Sequence, residues 1–182
     1  MKIQKLLTQF ILAFALVVLS NFAHANEKIA YQNWIFEATP DTTEAYTAND
    51  SASSFGLFCG GTTCVFYLKP NLNCIPNTKN AVLLNTGQTS AAIGMQCTLV
   101  GNYYFQILDN FDVVFNAAKT GEAVGFAVAL QGGAFSVTRF SLQGAIPAIQ
   151  KAIEEAARKR LQPAPSQQVV PQNRPGFKDI TL

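Results

Sequence analysis

From Asn33 to Phe140 the apolar residues come in short runs cut by turn residues, and no window longer than about ten residues keeps a helical period there. That pattern predicts strands. They fall at Trp34–Ala38, Phe55–Cys59, Cys64–Leu68, Val82–Asn85, Ala92–Val100, Tyr103–Leu108, Val113–Ala117, Ala123–Leu130 and Phe135–Phe140. Between them stand turn formers such as Lys69-Pro70-Asn71, Thr86-Gly87, Gly101-Asn102, Asp109-Asn110 and Gln131-Gly132-Gly133. About nine short strands at hairpin spacing predict a mainly β fold, an antiparallel β-sandwich or barrel. The polar stretch from Thr39 to Ser54 reads as a long, mobile loop.

After Phe140 the period changes. Ile146, Ile149, Ile153, Ala156 and Leu161 share one helical face, and Glu154/Arg158 and Glu155/Lys159 are spaced as i, i+4 ion pairs. Pro147 suits a first turn, so a single amphipathic helix should start between Gln143 and Ile146 and lay its stripe on the sheet. Arg158-Lys159-Arg160 would complement the negative end of its dipole. Residues 162–182 then form a Pro/Gln-rich flexible tail whose last segment, Phe177 to Leu182, regains some hydrophobicity.

The chain opens as an export signal does. Lys2 and Lys5 precede the unbroken apolar run Phe10 to Leu19, and Ala23-His24-Ala25 offers a small-x-small cleavage pattern. The run is too short for a membrane anchor, which needs roughly 20 apolar residues. Residues 1–25 are therefore expected to be a signal peptide and residues 26–161 one disulfide-linked β domain closed by the helix, in the periplasm or secreted. Export puts Cys59, Cys64, Cys74 and Cys97 in an oxidising space, where an even number reads as two disulfides. A hairpin through Gly60-Gly61-Thr62-Thr63 sets Cys59 opposite Cys64, which favours that bridge together with Cys74–Cys97. The competing reading is a four-thiolate zinc site, but the spacing lacks paired C-x2-C knuckles, and no metal or other cofactor is expected.

Without Lys2 and Lys5, the 13 bases fall to 11 against 11 acids, so nothing steers the mature chain towards nucleic acid or anionic lipid. The only histidine, His24, leaves with the leader, which removes Ser-His-Asp, Cys-His and histidine–metal chemistry. An enzyme would have to work with carboxylates, and Glu37, Asp109, Asp112 and Glu122 are the candidates, each at an ordinary turn or strand-end position. Gly60-Gly61 and Gly132-Gly133 join strands, whereas phosphate cradles need a strand running into a helix. Amphipathic aromatics are the natural contact residues, and Trp34, Tyr46 and an outward Tyr104 are the choices.

Thr120-Gly121-Glu122-Ala123-Val124-Gly125-Phe126 and Phe135 to Ala145, FSVTRFSLQGA, resemble the end of invasion-associated locus B-like proteins, exported bacterial β proteins. In that family a K/T-G turn and two strands lead to a short C-terminal helix. The resemblance implies a periplasmic or surface role in host association with no assigned catalysis, and carries over no functional residue. The first expectation is thus an exported, non-enzymatic protein that binds an unidentified protein partner, without nucleic acid and without a membrane span. The alternatives are a periplasmic immunity or hydrolase-inhibitor protein acting through a protruding Thr39–Ser54 loop, and a carboxylate-based hydrolase.

Overall fold

Alternation along each strand builds the molecule. In Trp34–Ala38 the side chains of Trp34, Phe36 and Ala38 are buried while Ile35 and Glu37 point the other way, and the same period recurs in strand after strand. The computed structural model describes residues 26–70, 74–130 and 132–161. The expected signal peptide and tail lie outside the described residues.

Ten strands form one antiparallel sheet: β1 (Glu27–Tyr31), β2 (Trp34–Ala38), β3 (Thr42–Ala48), β4 (Ser54–Gly60), β5 (Thr63–Lys69), β6 (Lys79–Asn85), β7 (Ser90–Val100), β8 (Tyr103–Leu108), β9 (Ala123–Ala129) and β10 (Phe135–Ser141). Helix α1 (Phe111–Thr120) follows β8 and helix α2 (Ala145–Leu161) follows β10. The spatial order is β1-β2-β3-β4-β5-β8-β7-β6-β9-β10, curled into a half-barrel. Its concave face holds the core, in which Phe55 touches Trp34, Phe66, Phe126 and Phe140. Helix α2 lies over β1 to β4, and α1 packs on β5, β9 and α2.

Two strands and a helix depart from the sequence reading. Thr42–Ala48, expected as part of a mobile loop, is β3, with Thr43, Ala45 and Thr47 buried. Small and hydroxyl-bearing residues suffice there because α2 approaches with Ala145, Ala148, Ala152 and Ala156, and Thr43 Oγ1 donates to the Ala152 carbonyl at 2.9 Å. Its turns are tight, closed by Thr39 N to Thr42 O at 2.9 Å and Asn49 N to Ser53 O at 3.0 Å. Strand β1 is likewise unexpected: it is a short edge strand, mostly exposed, with only Ile29 and Tyr31 packed against the core. Val113–Ala117, expected as a strand, lies within α1. The β-branched pair Val113-Val114 favours strand locally. However, β8 is flanked by β5 and β7, and β9 by β6 and β10, so the connection must cross over β7 and β6 and finds no free edge to join. Val114, Ala117 and Ala118 turn inward at helical spacing, with Asp112 in the first turn and Lys119 in the last.

Helix α2 starts where Pro147 predicted. Of the expected stripe Ile149 and Ala156 are buried, but Leu161 is 86% exposed. The expected i, i+4 pairs are not those formed. Glu155 is buried and takes Arg158 in a two-pronged contact, its Oε2 accepting from Arg158 Nε at 3.0 Å. Lys159 instead donates to the carbonyls of Thr39 and Thr42.

The four cysteines are joined as Cys59–Cys64 and Cys74–Cys97, with Cα atoms 4.1 and 6.0 Å apart. The zinc alternative is thereby excluded, since no free thiolate is left among them. Cys59 and Cys64 face each other across the β4–β5 hairpin. Cys74–Cys97 closes a span of 23 residues, so replacing both with Ser should lower unfolding free energy by about 3 kcal/mol. Urea denaturation of the double variant against the parent checks this; losing the five-residue Cys59–Cys64 link should cost less.

Candidate functional site

Two places on the convex face stand out. The first is the free end of the sheet. Among the described residues strand β10 pairs only with β9, and the register lines up Ala92, Leu83, Ala127 and Val137 in one row across β7, β6, β9 and β10. Val137 is 68% exposed, Phe135 66% and Leu83 48%. At the other end of β10 the strand is held by side chains from across the seam. Trp34 Nε1 donates to Ser141 O at 2.9 Å and Asn49 Nδ2 to Arg139 O at 3.3 Å. Phe135–Val137 receives no such contact among the described residues, and its backbone edge is open to another strand.

The second is a cleft of about 170 Å³ between β4, β5 and β8, with Phe58, Val65, Phe105, Ile107 and Val100 as its walls. Glu44 and Tyr67 also line it, and the Tyr67 hydroxyl donates to Glu44 Oε1. Burial pushes the Glu44 carboxyl above the ordinary carboxylate range, and Glu37, directly opposite on β2, adds to the push. The Tyr67 hydrogen bond and Lys69 oppose it. The Tyr67 phenol is itself pushed up, by burial and by Glu44. In the folded chain Glu44 therefore holds its proton to a higher pH than in the unfolded one. The associated stability is complete below the ordinary carboxylate value and is lost as pH rises through the raised one. Glu44→Gln should raise Tm at neutral pH and leave it nearly unchanged at pH 3, as thermal melts at the two pH values would show.

The residues chosen from the sequence are scattered. Trp34 is fully buried beneath the β10 seam, so it is a core residue and not a surface contact. Tyr46 is half-buried on the convex face, its hydroxyl donating to Glu37 Oε1 at 3.3 Å. Tyr104 points to the concave side opposite Leu99, and its neighbour Tyr103 is the outward one, with Lys69 Nζ 4.1 Å above its ring centre. The four carboxylates do not converge. Glu37 binds Lys28 beside Tyr46. Asp109 bonds through its backbone to Gly94 at the β7–β8 end, Asp112 opens α1, and Glu122 is exposed before β9. The Thr39–Ser54 segment offers no protruding inhibitory loop.

Glu44 is not among the sequence candidates, because the polar composition of Thr39–Ser54 predicts a loop there. The alternation of Glu44 and Tyr46 against Thr43, Ala45 and Thr47 was the available signal. A larger cavity of about 410 Å³ at the rim is lined by Pro40, Asp41, Gly61, Thr62, Lys159 and Arg160. Its two cations are engaged by backbone carbonyls, Lys159 on Thr39 and Thr42 and Arg160 on Gly61. Among the described residues no group of His, Cys, Asp and Glu is placed to hold a metal ion, and no helix is long and apolar enough to cross a membrane.

These features define a class: a disulfide-linked, antiparallel half-barrel whose concave face is closed by two helices and whose strand β10 is a free edge among the described residues. Among solved structures, the fold is similar to that of invasion associated protein B from Bartonella henselae, with a TM-score of 0.53 and 13% identity over 72% of this chain and 99% of that one. At that identity the likeness is one of fold. No family model matches the sequence, and no curated protein matches it significantly.

Proposed function

We propose that this is an exported, non-enzymatic interaction protein of the bacterial envelope or host interface, which engages a protein partner through the β9–β10 edge. One observation carries the reading: an unpaired strand end and an exposed apolar patch coincide at Phe135 and Val137, with Leu83 in the same row. Backbone pairing supplies affinity in such strand addition, and alternate side chains supply selectivity. Two disulfides fit an oxidising compartment, and the fold likeness to invasion associated protein B favours envelope or host association.

A photo-crosslinking residue at position 137 tests it in cells. Discrete adducts at 137, absent when the probe replaces the exposed Gln150 of α2, are expected. Equal labelling at both positions, or none at 137, contradicts the edge as the contact.

A second reading, the carboxylate hydrolase, is favoured by Glu37 and Glu44 facing each other across β2 and β3, one with a raised pKa. Against it, Glu37 is held by Lys28 and does not line the cleft, whose walls are almost wholly apolar.

A further inference from the structure

We propose that the convex cleft around Glu44 is a receptor for one lysine side chain of a protein partner, taken up by aliphatic walls with its ammonium on the free Glu44 oxygen. The site is separate from the β9–β10 edge, so each stands or falls alone.

Size comes first. About 170 Å³ is well below the roughly 300–1,000 Å³ of small-molecule sites and suits a single long side chain. Charge comes second. No ion pair among the described residues includes Glu44. Lys28 is paired with Glu37, and Lys69, set above the rings of Tyr103 and Phe105, favours the charged Glu44 from a distance but forms no ion pair with it. With Glu37 directly opposite, the register sets two carboxylates side by side, and an incoming cation would relieve both their repulsion and the burial of Glu44. Geometry selects the cation. Tyr67 occupies Oε1, so one carboxylate oxygen remains. A guanidinium fork needs two, whereas a compact ammonium needs one. The methylene stem would lie along Val65, Ile107 and Val100 as long cationic side chains do on apolar surfaces, and the rings of Phe58 and Phe105 add attraction to the charge.

The probes are Nα-acetyl-lysine methylamide and its uncharged counterpart Nα-acetyl-norleucine methylamide, titrated into the whole secreted chain and followed by NMR shifts of Ile107, Val65 and Tyr67. The lysine probe should saturate on the order of 10 mM, as a single side chain can, and the norleucine probe should bind at least about tenfold more weakly. Glu44→Gln should erase that difference. In the unaltered protein, lowering the pH into the range where Glu44 takes up its proton should weaken the lysine probe alone. Equal binding of the two probes, or lysine binding indifferent to both Glu44→Gln and pH, overturns the proposal.

Discussion

Gly144→Ala should lower unfolding free energy by about 4 kcal/mol or more, in the exceptional range for a single substitution, and Tm by about 8–16 °C. Gly144 sits between β10 and α2 with φ +88°, a conformation that L side chains avoid. A Cβ there would run into the carbonyl of Tyr31, with Gln32 Cβ also 3.3 Å away. Backbone has no rotamer by which to yield. The contact is part of a joint in which the β1–β2 turn rests on the β10–α2 connection, Asn33 N donating to Gln143 O at 3.2 Å while Leu142 N reaches Glu122 O at 2.8 Å. Alanine would therefore separate the β1–β2 hairpin from the helix that covers it. Calorimetric melts of the two proteins test this directly; a shift under about 3 °C would show that the joint can relax.

Trp34→Ala should cost about 3–5 kcal/mol, the range for emptying a buried aromatic site. The indole is fully buried, meets the Phe55 ring edge-on at 5.6 Å between centroids, and bonds to Ser141 across the seam. Trp34→Phe separates the two contributions. It keeps most of the apolar volume but leaves the Ser141 carbonyl without its donor, so about 1–3 kcal/mol is expected from that group alone. Urea titrations with an unchanged slope would attribute both losses to the native state. If Trp34→Ala and Trp34→Phe lost the same amount, packing would contribute little and the seam would rest on the hydrogen bond.

What the sequence made legible follows from how much each side chain had to say locally. Strands with large residues on the buried face, such as Trp34-Ile35-Phe36 or Phe55 to Cys59, declare their period, and the Cys59–Cys64 pairing follows from the turn between them. Strand β3 kept silent because its inward residues are Thr and Ala, chosen to fit beneath a helix about 110 residues later in the chain. Helix α1 misled because Val113 and Val114 speak for strand, while the strand order that forbids one is a property of the whole sheet. The candidate surfaces were the least legible. Val137, Phe135 and Leu83 look like core residues in any local reading, and only the register shows that their face has nothing over it among the described residues. Glu44 gains its character from Tyr67, Phe105 and Glu37, none of which is its neighbour in sequence.

Amide hydrogen exchange across β10 bears most directly on the open sheet edge. In the isolated protein the amides of Phe135–Thr138 that face away from β9 should exchange at nearly unprotected rates, while those of β4 and β5, paired on both sides, stay protected. Protection of every amide from Phe135 to Thr138 at the level of β4 in the free monomer would mean that the edge is already covered, and the interaction surface argued for here would be lost.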